Sequence, residues 1–492
     1  MTMTKLHVMT RAAAAACLAL LAGCAAGPDY RRPALPAMDY LPAPAAAALH
    51  DERQVVDAEV PAQWWTLFHS KALDELVRGA LARSPSVAAA QASLRQASEM
   101  RRAQQAAFFP TVDASYSAAR QKIAAPIASP LASNADIFNL STAQLNVSYT
   151  PDLFGLNRRQ VESLRAQEQA QRWNVEATYL ALSANLVVAA ISEASLQAQV
   201  DATARQATLQ SDVLERFRQL RRLGENSELD VAQQESQLAS LQAALPGLRK
   251  QLAQQRDLVK ALAGLSPAAD VPALRLDELT LPDPLPLTLP STLVEHRPDV
   301  LMAEADLESA SADIGVAMAN RLPQVTLGVN SWGSSAASLS GLFAPGTAFW
   351  TLAGSATQTL VDGGALKHKE AAARAAYDQA EATWRATVIN AFQNVADALQ
   401  AVQADAEAER ATHRALDIAE HTLQVSRRQL DLGDVSTVSV IQVEQAHQQA
   451  LAAAIQAKAQ RLSDAAAMLQ ALGGGWWNRA SDDPAPARAG AD

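Results

Sequence analysis

From Gly155 to Gly224 the chain carries no proline. At 1.5 Å per residue, a stretch of roughly 70 residues makes about 100 Å of uninterrupted helix. A rod of that length is stable only where an apolar stripe packs on partners. The composition suits long, close-packed helices. Of 492 residues, 49% are hydrophobic but only 5% aromatic, and alanine makes up the difference. Alanine lets helix backbones approach closely and favours the helix itself. The formal charge of −10 excludes nucleic acid as a natural partner. Two cysteines exclude a disulfide framework and a four-cysteine zinc site.

The same pattern occurs twice. Ser84-Pro85-Ser86-Val87 matches Arg297-Pro298-Asp299-Val300, and Phe109-Pro110-Thr111-Val112 matches Leu322-Pro323-Gln324-Val325, both at an offset of 213. Gly155 matches Gly364, and Leu223-Gly224-Glu225 matches Leu432-Gly433-Asp434, both at 209. Ala261-Leu262-Ala263-Gly264 matches Ala471-Leu472-Gly473-Gly474 at 210. Five landmarks in one order define a duplication. Its expected parts are a first repeat over 70–266, a Pro-rich extended linker over 267–290 and a second repeat over 291–477. A disordered tail is expected over 478–492.

Each repeat reads helix, strand, strand, long helix, helix. A helix is predicted from Ser70 to Ala107, broken near Ser84-Pro85 and stopped by Pro110. Alternation predicts strands over 111–120, 139–150, 324–332 and 349–360, the second with a phase slip. About ten residues is the length that crosses a bilayer at barrel tilt. A small soluble sheet packed on the helices fits the alternation equally well. On the first returning helix, Leu238, Leu241, Leu245, Leu248, Leu252, Gln255, Val259 and Leu262 alternate spacings of three and four, the seam of a coiled coil. The second carries Leu451, Ile455, Lys458, Leu462, Ala465, Leu469 and Leu472. Pro246-Gly247 is expected to kink the first.

The N-terminus reads as a targeting signal over 1–23. Lys5 and Arg11 precede an apolar run over 12–21, and Leu21-Ala22-Gly23-Cys24 follows. These four residues resemble a bacterial lipobox, which implies cleavage before Cys24. Removing Lys5 and Arg11 would carry the charge from −10 to −12. The only modification expected is covalent lipid on Cys24, an N-acyl group and an S-diacylglycerol; no cofactor is expected. Residues 24–69 are then a lipidated extended segment. Ala25 in place of aspartate favours the outer membrane. The longest apolar run, over 12–26, is shorter than the ~18 residues a spanning helix needs, so the mature chain must cross a bilayer as strands if at all.

Four strands cannot close a barrel, and an open edge in lipid leaves backbone groups unpaired. Three chains sharing one barrel would give twelve strands above twelve helical columns. If the sheet is not a soluble one, the expected fold is mainly α with membrane β: a trimer whose shared barrel continues into a coiled-coil barrel of helices.

The residues also resemble a known family. The lipobox followed by Gly27-Pro28-Asp29-Tyr30-Arg31-Arg32-Pro33, then Trp64-Trp65 with Phe68, Arg297-Pro298-Asp299-Val300, Val361-Asp362-Gly363-Gly364 and Leu472-Gly473-Gly474-Gly475-Trp476, is similar to the TolC-like outer-membrane efflux proteins. The likeness is to the lipoprotein branch that includes OprM and NodT. It implies a homotrimeric exit duct of a Gram-negative bacterium, lipid-anchored and barrel-spanning. Such a duct passively conducts what an inner-membrane RND-type pump and a periplasmic membrane-fusion adaptor deliver, and it catalyses nothing. Leu223, Gly224, Glu225, Leu432, Gly433 and Asp434 are implied as the tips that meet the adaptor; Gly suits the helix end, and Asn226-Ser227-Glu228 and Asp434-Val435-Ser436 offer N-caps. The pore constriction is implied at Val438 and Gln442, with Asp230 and its counterpart Ser439 nearby. Gln442 departs from the family's usual aspartate. Trp332 and Trp350 are expected in an aromatic girdle.

Two other classes fit parts of the sequence. His413, Asp417 and His421 share one helical face and offer a metal-ligand spacing, although a solvated stripe explains them as well. A periplasmic coiled-coil lipoprotein that spans nothing explains the lipobox and the heptads, but not four strand-like segments in duplicated positions.

Overall fold

The structure, a computed structural model, describes residues 25–34, 60–122, 124, 136–281 and 295–479. The signal segment, Cys24 and residues 480–492 lie outside it. Among the described residues are seven α-helices: α1 (Lys71–Arg83), α2 (Pro85–Gln105), α3 (Leu156–Arg222), α4 (Glu228–Leu262), α5 (Pro298–Ala319), α6 (Ala365–Leu432) and α7 (Thr437–Ala471). Four strands, β1 (Thr111–Lys122), β2 (Ile137–Tyr149), β3 (Gln324–Ala336) and β4 (Ala348–Thr357), form one antiparallel sheet in chain order.

The duplication is visible in the elements: α3 and α6 span 67 and 68 residues, and α4 and α7 each span 35. Both long helices start on an aspartate. Asp152 accepts from the N–H groups of Asn157 and Arg158, each at 3.0 Å. Asp362 accepts from those of Gly364 at 2.8 Å and Leu366 at 2.7 Å. These bonds hold the Asp362 carboxyl below the usual range. The predicted break before α2 falls at Ser84, whose extended backbone satisfies Pro85. Ser70 caps α1 through the Leu73 N–H.

The α4 seam is real. Val231, Leu245, Leu252 and Val259 are buried and Leu238 half-buried, a strict heptad repeat. On α7, Leu462, Ala465, Leu469 and Leu472 are buried. Pro246 does not interrupt α4: the helix runs on through it, with Leu245 buried and Leu248 half-buried. Pro246 and Gln242, whose carbonyl loses its helical partner, both lie on the exposed side, where solvent can reach that carbonyl.

By internal contacts the chain divides into two compact units. One holds residues 1–34, 95–171 and 303–384; the other holds 35–94, 172–302 and 385–492. Each draws on both repeats, so the duplication does not mark a boundary between folding units. The first contains the sheet. The second contains the main core, in which Trp64, Phe68, Leu73, Leu186, Ile191, Val259, Leu279, Met468 and Leu469 pack together. Trp64 meets Trp65 edge-on at 6.1 Å between ring centres, and Phe68 likewise at 6.4 Å. Such edge-to-face pairs add to the stabilisation from burial alone.

Four expectations change here. Residues 64–68 form a 3-10 turn buried in that core, so the segment expected to be extended up to residue 69 is folded by residue 60. The described part of the linker buries Leu274, Leu276 and Leu279, with a 3-10 turn over Leu276–Glu278. These leucines leave water by covering the ends of the helices. Asn478 and Arg479 are tied down: the Asn478 amide donates to the Val60 carbonyl, and the Arg479 guanidinium grips both Glu176 oxygens at 3.1 and 3.0 Å. These two residues therefore do not belong to the expected tail, the rest of which lies outside the described residues. In addition, α3 is long and apolar enough by composition to cross a membrane, against expectation. Its apolar run over 186–191 is largely buried in the core instead.

Phe68→Ala should lower stability by about 3–5 kcal/mol, the usual cost of emptying a fully buried aromatic site. Thermal unfolding followed by circular dichroism should show the loss, with the exposed Lys71→Ala nearly unchanged.

Candidate functional site

Two surfaces are candidates for function, the reversals of the long helices and the faces of the sheet. At each reversal the helix ends in a Schellman motif. Glu225 N–H donates to Leu220 O (3.0 Å) and Gly224 N–H to Arg221 O (3.0 Å). In the second repeat Asp434 N–H donates to Gln429 O (2.9 Å) and Gly433 N–H to Leu430 O (3.0 Å). Gly224 and Gly433 have φ of +85° and +78°. Leu223 is 74% exposed and Leu432 is 72% exposed. No described residue covers either leucine, an unusual placement for so apolar a side chain.

The next helix starts at Ser227 or Ser436, not at Asn226 or Asp434. Ser227 Oγ accepts from Asp230 N–H. Asp230 Oδ2 accepts from Ser227 N–H at 2.9 Å and from Ser227 Oγ at 2.7 Å. The two residues form a complete capping box. Ser436 Oγ accepts from Ser439 N–H at 3.3 Å and meets Ser439 Oγ at 3.0 Å. Asp230 and Ser439 thus share a capping position, and the Asp230 carboxylate is engaged in its own turn. Val438 and Gln442 are exposed. Gln445, one turn beyond Gln442, donates to Gln237 Oε1 at 3.1 Å and joins the two returning helices.

A brace just inside each tip escaped the sequence reading. Arg218 donates to Glu235 (2.7 Å) across the first hairpin, and Arg427 to Glu444 (3.0 Å) across the second. Both residues of the pair recur at the same offset as the tips. Behind them Leu214 and Val231 are buried, as are Leu423 and Val440 at that same offset. The offset was in the sequence, but an Arg and a Glu so far apart in the chain are conspicuous only once the reversal is placed between them.

The sheet separates its two faces. One carries the cross-strand rows Val112–Val147–Val329–Leu352 and Ala114–Leu145–Trp332, with Tyr116, Leu327 and Trp350 beside them. The other carries Ser115–Gln144–Gly333 and Ser117–Thr142–Ser335, with Asp113 opposite Asn146. The phase slip expected in β2 is not there, since β2 pairs with β1 in unbroken register. The irregularity is a bulge in its neighbour β3, where Asn330 and Ser331 stand opposite the single Asn146. The apolar face is uncovered. Val112, Tyr116, Leu327, Trp332, Trp350 and Leu352 are all exposed. A soluble sheet packed on helices would bury this face. An apolar outside with a polar inside is the arrangement of a membrane barrel.

The pattern of the outer membrane efflux protein family matches residues 76–265 and 289–474, one segment per repeat. The chain belongs to that family. It is 28% identical over 466 residues to the toluene efflux pump outer membrane protein TtgC of Pseudomonas putida, covering 94% of each chain. It is also 28% identical over 435 residues to the pyoverdine export outer membrane protein OpmQ of the same species, covering 88% of this chain and 90% of that one. The solved outer-membrane channel OprN superimposes with a TM-score of 0.83 at 26% identity, covering 92% of this chain and 100% of that one. The VceC outer membrane protein of Vibrio cholerae gives 0.75 at 25% identity, covering 84% of this chain and 99% of that one. This chain is an outer-membrane efflux channel with the TolC-like fold, and its family is one of ducts, not of enzymes.

His413, Asp417 and His421 are exposed along α6, and the described residues contain no group of three or more His, Cys, Asp or Glu placed to hold a metal. Of more chemical interest is Asp405 on α6, which interacts with Asp464 on α7. Burial first, then the second carboxyl, pushes Asp405 up to about 6, with Arg461 opposing. Arg461 also pairs with Glu409, one turn along α6.

Two outcomes follow. Because the folded Asp405 binds its proton more tightly than the usual carboxylate, its contribution is full at low pH and is lost as pH rises through about 6. Melting temperatures measured from about pH 4 to about pH 7 should therefore fall with pH in the wild type more steeply than in Asp405→Asn. At the tips, alanine at the positive φ of Gly433 costs ~1–2 kcal/mol. Gly433→Ala should then speed amide exchange of residues 429–440 by about tenfold, the factor for about 1.4 kcal/mol.

Proposed function

We propose that three copies of this chain close one barrel and form the exit duct of a tripartite efflux system. The observation that carries this reading is the sheet of β1 to β4. It exposes an apolar face and leaves β1 and β4 each with one unpaired edge in a single chain. In lipid those edges require partners, and further copies of the same chain supply them with matching length. Three copies give twelve strands, with the polar faces lining a water-filled lumen. Conduction through it is passive.

The helical reversals are the natural meeting point for a periplasmic adaptor, and through it for an inner-membrane RND-type pump. They are exposed, rigidly turned and braced in both repeats. Leu223 and Leu432 offer apolar anchors flanked by Glu225 and Asp434. Nearby, Val438 and Gln442 form the candidate constriction. A neutral Gln442 ring leaves its selectivity to size and apolarity rather than to charge. Cys24 carries the lipid that secures the chain to the outer membrane. Relatives named for toluene and for pyoverdine share this architecture, so the duct imposes little choice of cargo and the pump selects it.

Electron microscopy of the detergent-extracted protein, with its mass by light scattering, should show a three-fold particle of three chains. A monomer would overturn the shared barrel. Gly433→Pro removes the N–H that closes the second Schellman motif and forbids its φ. It should leave outer-membrane insertion intact and abolish efflux in a susceptibility assay; unchanged efflux would remove the docking role from that tip.

A further inference from the structure

The segment that immediately follows Cys24 is seated in a built site. Ala26 N–H donates to Phe154 O at 3.0 Å, at the junction between β2 and α3. From α3, the Arg159 guanidinium reaches three points of the segment: Nε donates to Ala26 O (3.0 Å), and Nη2 to Gly27 O (3.2 Å) and Asp29 Oδ1 (2.8 Å). Nη1 is held from behind by Glu162 at 2.7 Å. The Arg159 side chain is only 5% exposed. Backbone closeness completes the seat. A Cβ on Gly27 would collide with Gly315 Cα, and one on Gly315 would lie 2.8 Å from both Ala26 O and the Arg159 stem. Further along, Arg32 pairs with Glu304 of α5 at 2.9 Å, and Tyr30 lies half-buried near Glu304, Glu308 and Tyr377.

The site has no counterpart in the second repeat. At the offsets of 209 and 213, Arg159 corresponds to His368, and Gly315 to Arg102. A feature present once in a duplicated chain serves something present once, and a chain has one N-terminus.

We propose that Arg159, Gly315 and Asp29 form an internal dock for the lipid-bearing N-terminal segment, which sets the acyl anchor at the foot of the barrel. The proposal rests on the lipidation of Cys24. Ala26 follows Cys24 by two positions, a reach of at most about 7 Å. The acyl chains therefore enter the membrane beside the strand-to-helix junction instead of trailing on a loose tether. The energetics favour a fixed seat: if the segment left, the buried guanidinium would lose the Ala26 and Gly27 carbonyls, and a buried charge short of acceptors is costly.

The mature chain has Cys24 as its only cysteine, and lipid blocks its sulfur, so a cysteine introduced at the exposed Arg31 takes a spin label uniquely; the unlipidated chain is labelled in a Cys24→Ser background. In the assembled protein in detergent, the Arg31→Cys label should give a slow-motion spectrum. Arg159→Ala should shift it to fast motion, and Arg159→Lys, which keeps charge but not the fork, should lie between. Gly315→Val, which fills the seat and leaves the Arg159 charge in place, should also release the label if Arg159→Ala fails to assemble. A label already mobile in the wild type, or still slow in an assembled Arg159→Ala or Gly315→Val protein, overturns the dock. The lipid is read separately by the mass of the N-terminal peptide. A slow label on an unlipidated chain keeps the seat and removes the anchor from the proposal, whereas a lipidated chain with a mobile label removes the seat itself.

Discussion

Backbone hydrogen bonding at the edges of a four-stranded sheet governs this protein. Among the described residues of one chain β1 pairs only with β2, and β4 only with β3. In water such edges are satisfied by solvent; in hydrocarbon they are not. Because the face that points away from the polar side chains is apolar and uncovered, the sheet belongs in lipid. The two statements together leave closure by further copies as the physical solution. The helices inherit that geometry, since each pair of strands in a repeat is followed by one long helix and its return.

The two repeats are equivalent where the chain reverses and diverge where it meets something unique. Both tips use a serine cap, a left-handed glycine and an Arg–Glu brace at one offset. Their chemistry differs in detail: the first has the full Ser227–Asp230 capping box, while the second replaces the carboxylate with Ser439 and buries Glu444 more deeply than its counterpart Glu235. The first hairpin holds a buried Gln210–Gln234 bond at 2.6 Å where the second has Ala419 and Val443. The deep ends differ as well. Arg297 donates to Ala471 O at 2.8 Å and tethers α5 to α7, whereas Gly264 sits against the Arg83 backbone in the first repeat.

Much of this was legible in the sequence because it depends on local rules. Helix ends at Gly224 and Gly433, the break at Ser84, the heptads of α4 and the strand positions all follow from residue type and spacing. What escaped depends on contacts between segments distant in sequence. The 3-10 turn of Trp64 to Phe68 has no periodicity to announce it, and only the neighbouring helices make it core. The resemblance places Asp230 beside the constriction; that Ser227 also engages its carboxylate in a cap shows only in the folded turn. The irregular alternation of the strands was readable, but only the pairing of β2 with β3 places the bulge at Asn330 and Ser331.

The glycines at the tips and those at the N-terminal seat refuse a side chain for different reasons. Around Gly224 and Gly433 an added methyl group would meet nothing within 4 Å, so only the L configuration is refused there. A D-alanine would sit comfortably at either tip and would stabilise the turn by narrowing the unfolded ensemble. At Gly27 and Gly315 the two backbones nearly touch, and a side chain has no room. The tips are thus chirally specified but chemically open, free to carry a marker or a crosslinker on a D-residue, whereas the seat of the N-terminus is closed by bulk at both glycines and, at Gly27 with its φ of +95°, by hand as well.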